Sequence, residues 1–213
     1  MTRVVVNPGH SISDPGAIGR TGLTEAEVAQ KVARCLVALS GDGVGYEPKR
    51  QPPGKKGLGI LLETLRANPP QLLLSLHCNA HEWRPGKCIH EARFYWWSED
   101  PDMWRRGRSL KLGFELVVAA REGRMAAQAK TVSAPYARVW KGETMQFLPA
   151  ILRQTATVAV SLAELGFITD PHVETAMRTV EWQGRAACAL DAWIRAFCAT
   201  LPATTEREEV PST

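Results

Sequence analysis

The chain has 213 residues, 26 Lys+Arg against 22 Asp+Glu, and a formal net charge of +4. Hydrophobic residues at 45% and charged residues at 23% are those of an ordinary globular domain, which excludes collagen-like order and global disorder. A chain of this length buries a substantial core without disulfide staples.

No apolar run reaches the length of a membrane span. The N-terminus, MTRVVVNPGH, has no signal-peptide apolar region or cleavage site. The cysteines (Cys35, Cys78, Cys88, Cys188, Cys198) form no CxxC pair and are odd in number, so reduced thiols and synthesis in the cytoplasm are expected. The modest positive charge permits an anionic partner without naming one.

The β-branched run Val4–Val6 predicts a buried strand that ends at Asn7-Pro8-Gly9, with His10 just beyond it. Gly and Pro make 11–22 a loop. Thr24-Glu25-Ala26-Glu27 is a capping-box sequence, and Val28, Ala29, Val32, Ala33, Leu36 and Val37 follow at helical spacing up to Gly41. Residues 41–57, rich in Gly, Pro, Lys and Arg, read as an exposed loop. Leu58–Ala67 reads as a helix closed by Asn68-Pro69-Pro70, and Gln71–Leu76 as a buried strand with His77 at its end.

Further along, Glu91–Trp97 alternates like a strand. Arg105–Arg124 reads as a long basic helix, and 125–153 as loop-rich. Thr157–Ala163 is a β-branched strand ending at Glu164. Asp170-Pro171 caps a last helix, expected to break once near Gly184 and to run to about Phe197. This gives one catalytic-sized domain over 1–200 and a polar tail over 201–213. Alternating strands and helices predict an α/β fold, a single domain with a central, mostly parallel sheet flanked by helices on both faces. His10, His77 and Glu164 then share the C-terminal edge of the strands, where open α/β sheets carry their sites.

Singly, each of these residues has an ordinary reading: a loop histidine, a first-turn acid at Glu25, a solvated strand-end carboxylate. Together, two imidazoles and two carboxylates supply three metal ligands and a spare base. Two nitrogens and one carboxylate oxygen suit zinc with one open position, and the remaining carboxylate can move the proton of an attacking water. Spacing alone makes this a weak case.

The local motifs strengthen it. VVVNPGHSISDPGAIGRTGLTEAEVA, SLHCNA at 75–80 and AELGFITDP at 163–171 resemble, in order and separation, segments of the zinc-dependent N-acetylmuramoyl-L-alanine amidases. The resemblance implies zinc held by His10, Glu25 and His77, with Glu164 as the catalytic carboxylate. It also implies hydrolysis of the amide between N-acetylmuramic acid and the L-Ala of the stem peptide. Asn7 stands where the family commonly has Asp before PGH, and a neutral amide would orient the His10 ring more weakly than an acid. The family's T-R-x-x-D segment is not recognisable, and residues 98–150 show little that aligns.

Other features have weaker claims. His81, four residues after His77, would pair with it only on a helix, and Cys78 reads as a small buried residue rather than a nucleophile. His90 and His172 read as surface histidines. Trp96, Trp97 and Trp193 fit a core, whereas Trp83, Trp104 and Trp140 lie near loops. Lys49, Arg50, Lys55 and Lys56 and the basic segment 105–130 are either a solvated face or a means of attraction to an anionic wall. A compact chain without a leader resembles a phage endolysin more than an exported autolysin. It would be made in the host cytoplasm and reach the wall after holin-type release. A monomer is expected, with peptidoglycan as partner, no nucleic acid and no stable membrane insertion. The rivals are a bacterial wall-remodelling amidase, a non-catalytic peptidoglycan-binding relative, and a nucleic-acid binder using the basic helix.

Overall fold

The computed structural model describes residues 1–11, 13–50, 52, 57–82, 92–97, 137–140, 143–146 and 159–200. Within them lie β1 (Thr2–Pro8), α1 (Glu25–Val37), β2 (Val44–Pro48), α2 (Gly57–Ala67), β3 (Leu72–Asn79) and β4 (Arg93–Trp97). After these come β5 (Ala137–Trp140), β6 (Glu143–Gln146), β7 (Ala159–Phe167), α3 (Pro171–Met177) and α4 (Val180–Cys198).

The main sheet has the order β2-β1-β3-β7-β4. Its first four strands are parallel, and β4 adds an antiparallel edge. Parallel strands are buried on both faces and so read as continuous apolar runs. Val4 and Val6 on β1, and Leu72, Leu74 and Leu76 on β3, face the main core, while Val5 and Leu73 are also buried. The main core lies between the sheet and the pair α1 and α4. Val28, Ala29, Val32, Ala33 and Leu36 of α1 meet Trp182, Ala186, Leu190, Trp193 and Ile194 of α4 there. Leu61, Leu62 and Leu65 of α2 are buried outside that cluster. Burying each such side chain is worth about 1.5–3 kcal/mol.

The Thr24/Glu27 capping box forms, as does the Asp170 cap with Pro171 in the first turn. Two expectations are corrected and a third is refined. Residues 44–48, expected in a loop, form β2: β1 supplies the hydrogen-bonding partner, and buried Tyr46 anchors the strand by donating its hydroxyl to Asp191 at 2.6 Å. The last helical region breaks at Arg178–Thr179, not near Gly184, because the Thr179 side chain caps α4 by accepting from the Trp182 amide. Gly184 lies inside α4, where a side chain would meet open space. Part of 125–153 is an antiparallel hairpin, Ala137–Trp140 with Glu143–Gln146. The basic helix expected at 105–124 and the tail at 201–213 lie outside the described residues. Among the described residues, no helix is long and apolar enough to cross a membrane.

Candidate metal centre and active site

The C-terminal edge of the parallel strands gathers the predicted residues. His10 follows β1, and His77 lies near the end of β3. Glu25 is the first residue of α1, carried there by the 11–24 loop; its own amide donates to the Ala17 carbonyl at 2.8 Å. One ligand atom from each of His10, Glu25 and His77 can be chosen so that all three lie within 4.8 Å of one another.

Glu25 is the hub. It is 4% exposed. Oε1 lies 2.9 Å from His77 Nδ1 and accepts from the Cys78 amide at 3.0 Å. Oε2 accepts from the Ala17 amide at 2.9 Å and lies 3.3 Å from His10 Nε2. The two imidazoles meet edge to face, 5.2 Å between centroids. Burial opposes ionisation of Glu25, but bonding to His10 and His77 outweighs it and holds the carboxyl well below the usual range. Reciprocally, bonding to Glu25 pushes His10 up to about 9; burial opposes this and Asp14 adds to it.

Two glycines make room for the cluster. A Cβ at Gly9 would collide with the His77 ring, and one at Gly16, whose φ is +68°, would strike Glu25 Oε2 and the His10 ring. His10 itself has φ 61°, a left-handed conformation rare for a residue with a side chain. Such strain persists where the surroundings over-determine it and is concentrated at functional sites.

Asn7 does not orient His10. Its amide donates to the Lys49 carbonyl at 2.8 Å and its carbonyl accepts from Ser75 Oγ at 3.2 Å, so it ties β1 to β3 and to the chain just past β2. The acid beside His10 is Asp14, with Oδ2 3.0 Å from Nδ1. Sequence reasoning passed over Asp14 because the motif's interest lay in its Pro and Gly. Its spacing of four from His10 was the available signal.

Glu164 pairs in register with His77 across β3 and β7 and is half-buried. Just beyond, β7 carries one more residue than β3 between Glu164 and Phe167, a bulge of the kind that re-aims side chains beside active sites. Cys78 is buried. Burial first, then the charges of Glu25 and Glu164, push its thiol well above the ordinary value, so it supplies no thiolate nucleophile at neutral pH. His81 lies past the end of β3, with its ring against Phe167 and Nδ1 2.8 Å from the Glu82 carbonyl; it does not join the cluster. His172 is exposed in the first turn of α3, and Trp193 is core. His90, Trp83 and Trp104 lie outside the described residues. Cys35, Cys78, Cys188 and Cys198 are free thiols.

A clamp that sequence reasoning missed fixes the 11–24 loop from the other side. Glu174, 1% exposed on α3, accepts from the Thr21 amide and hydroxyl and the Leu23 amide, and Arg178 joins it at 3.2 Å. The partners are about 150 residues apart in sequence, so no local pattern reveals them.

The donors fit zinc: two imidazole nitrogens and a carboxylate, one imidazole braced by an outer acid, in a cradle kept clear by two glycines. Residues 4–195 match the family described as N-acetylmuramoyl-L-alanine amidase.

The chain belongs to that family.

Similar solved structures include the amidase AmiC2 of Nostoc punctiforme (20% identity, 93% of this chain and 97% of that one, TM-score 0.66). An amidase from Clostridium difficile 630 matches at 15% identity over 94% and 98%, with TM-score 0.67. The catalytic domain of the CD27L endolysin, which targets that species, matches at 14% over 92% and 98%, with TM-score 0.60. At such identities the likeness shows the shared fold. No curated protein matches. Family membership makes this amidase a peptidoglycan hydrolase, and its His10–Glu25–His77 group can hold a metal ion.

Proposed function

We propose that this amidase is zinc-dependent and cleaves the amide joining N-acetylmuramic acid to L-Ala of the stem peptide. The observation that carries the reading is the convergence of His10, Glu25 and His77 on one sheet edge, with Glu164 in register beside His77. His10, Glu25 and His77 would hold the ion. When bound there, zinc supplies Lewis-acid polarisation and lowers the pKa of water.

The chain's own residues do the rest. Asp14 holds the His10 ring by its far nitrogen, and the Ala17 and Cys78 amides hold both oxygens of Glu25. Glu164 takes a proton from the attacking water as the new C–O bond forms. It returns that proton to the L-Ala nitrogen as the C–N bond breaks, so acid and base are one group acting in turn.

Turbidity loss and muropeptide release from purified peptidoglycan, with EDTA and with added zinc, test this. Chelation should abolish hydrolysis and zinc restore it. Glu164→Ala should keep stoichiometric zinc and lose hydrolysis. Activity that survives chelation refutes the metal reading, and a near wild-type Glu164→Ala refutes the assigned base.

For the biological setting we propose a monomeric phage endolysin, made in the host cytoplasm and acting on the wall after holin-type release. Wall remodelling by a bacterial autolysin is the alternative. An endolysin catalytic domain and bacterial amidases share this fold. A neighbouring holin gene supports the first setting, and a position among division genes supports the second.

A further inference from the structure

A concavity is lined in part by Ser11 and Ala26, the chain neighbours of His10 and Glu25. It is a half-open groove of about 410 Å³ whose lining includes Ser11, Glu27, Gln30, Lys31, Arg34 and Arg50. Glu27, Gln30, Lys31 and Arg34 lie three or four residues apart and so share one face of α1. Arg50, just past β2, closes the other side, with Nε 3.5 Å from the His10 carbonyl oxygen.

Three cations thus meet one carboxylate. That carboxylate is committed: Glu27 accepts from the Thr24 amide and hydroxyl, both at 3.0 Å. Its single negative charge, which also faces Arg178, leaves the three cations of the groove in excess. Among the described residues Arg34 and Arg50 make no ion pair, whereas nearby Lys49 pairs with Glu47 at 2.7 Å. Convergent cations in a concave wall focus a positive potential. Guanidinium groups match the planar, two-oxygen shape of a carboxylate.

We propose that this groove is an anion subsite that takes a carboxylate of the stem peptide, anchoring the leaving half of the substrate while its first amide lies at the His10–Glu25–His77 cluster. This rests on the amidase reading above. A peptide joined through its N-terminus must present carboxylate farther along. Ser11 and Ala26, which line the groove, directly follow the candidate metal ligands His10 and Glu25 in the chain, so the groove borders the cluster.

The test compares soluble muramoyl-peptide substrates with free and with amidated carboxylates, for wild type, Arg34→Gln and Lys31→Gln/Arg34→Gln. These side chains are exposed on α1, so folding and zinc content should be unchanged. For the free-carboxylate substrate the double variant should raise KM about tenfold with kcat unchanged; for the amidated substrate it should match wild type. Equal effects on both substrates, or on neither, overturn the subsite. An effect seen with intact walls but not with soluble muropeptides assigns the groove to a wall phosphate polymer instead, and also overturns it. If the subsite fails while wild type cleaves the amidated substrate, the amidase reading stands. If wild type cleaves neither substrate, that reading falls and takes the subsite with it.

Discussion

Glu25 and Glu174 are two buried carboxylates that grip the two ends of one stretch of chain. Both are almost fully removed from water, both accept from backbone amides, and both are held below the usual carboxylate pKa range. They differ in their cationic partners. Glu174 has Arg178, which cannot give up its proton or bind a metal. Glu25 has two imidazoles, which can do both. The same device, a desolvated acid satisfied on all sides, is therefore a rivet at one end of the 15–24 segment and, at the other, part of a group that can hold a metal ion. What separates structure from chemistry here is the donor type, not the degree of burial.

The largest effect should come from Glu25→Ala. Loss of an outer-shell partner alone costs about 10–100-fold in metal affinity or activity, so loss of the hub should exceed about 100-fold in activity and leave little zinc by atomic absorption. Full zinc occupancy in that variant would break the comparison. Next, Glu174→Ala should destabilise by about 3 kcal/mol, because it leaves the Thr21 and Leu23 amides and the Thr21 hydroxyl without their acceptor. That corresponds to a fall in Tm of roughly 6–12 °C for a chain of this size, with zinc still bound at low temperature. Loss of zinc there would show that the rivet and the metal-binding group are one unit.

Asp14→Asn should weaken zinc binding about tenfold in competition with a chromogenic chelator, since it removes the charge that holds the His10 ring. An Asn7→Ala variant should leave zinc affinity alone and lower stability instead. The smallest effect is in acid. Burial opposes ionisation of Glu174, but bonding to Thr21, Leu23 and Arg178 prevails and lowers its pKa. Its contribution is therefore full above the unfolded carboxylate value and is lost as pH falls through the folded one. Wild type should lose more stability between pH 5 and pH 3 than Glu174→Gln in urea titrations; parallel curves would deny the rivet its charge.

Much of this was legible in local patterns. A capping box makes Glu25 the first residue of a helix, and apolar runs make His77 and Glu164 strand residues, so three of the four candidate site positions follow from periodicity once the strands are parallel. What escaped was held by distant partners. β2 is a poor strand by composition and exists because β1 and Asp191 hold it. The Glu174 clamp joins residues about 150 apart. The substitution of Asp14 for Asn7 as the brace of His10 depended on where a loop turned back, which Pro and Gly permit without specifying.

His10 bears on how such a sequence can drift. Its left-handed backbone costs on the order of 1 kcal/mol or more, a cost that glycine would avoid. If His10 holds the proposed zinc, heat resistance and activity want different residues at this one position. His10→Gly should outlast His10→Ala on heating although neither hydrolyses the wall. A lineage that stopped needing the activity would be expected to let glycine or asparagine settle there first.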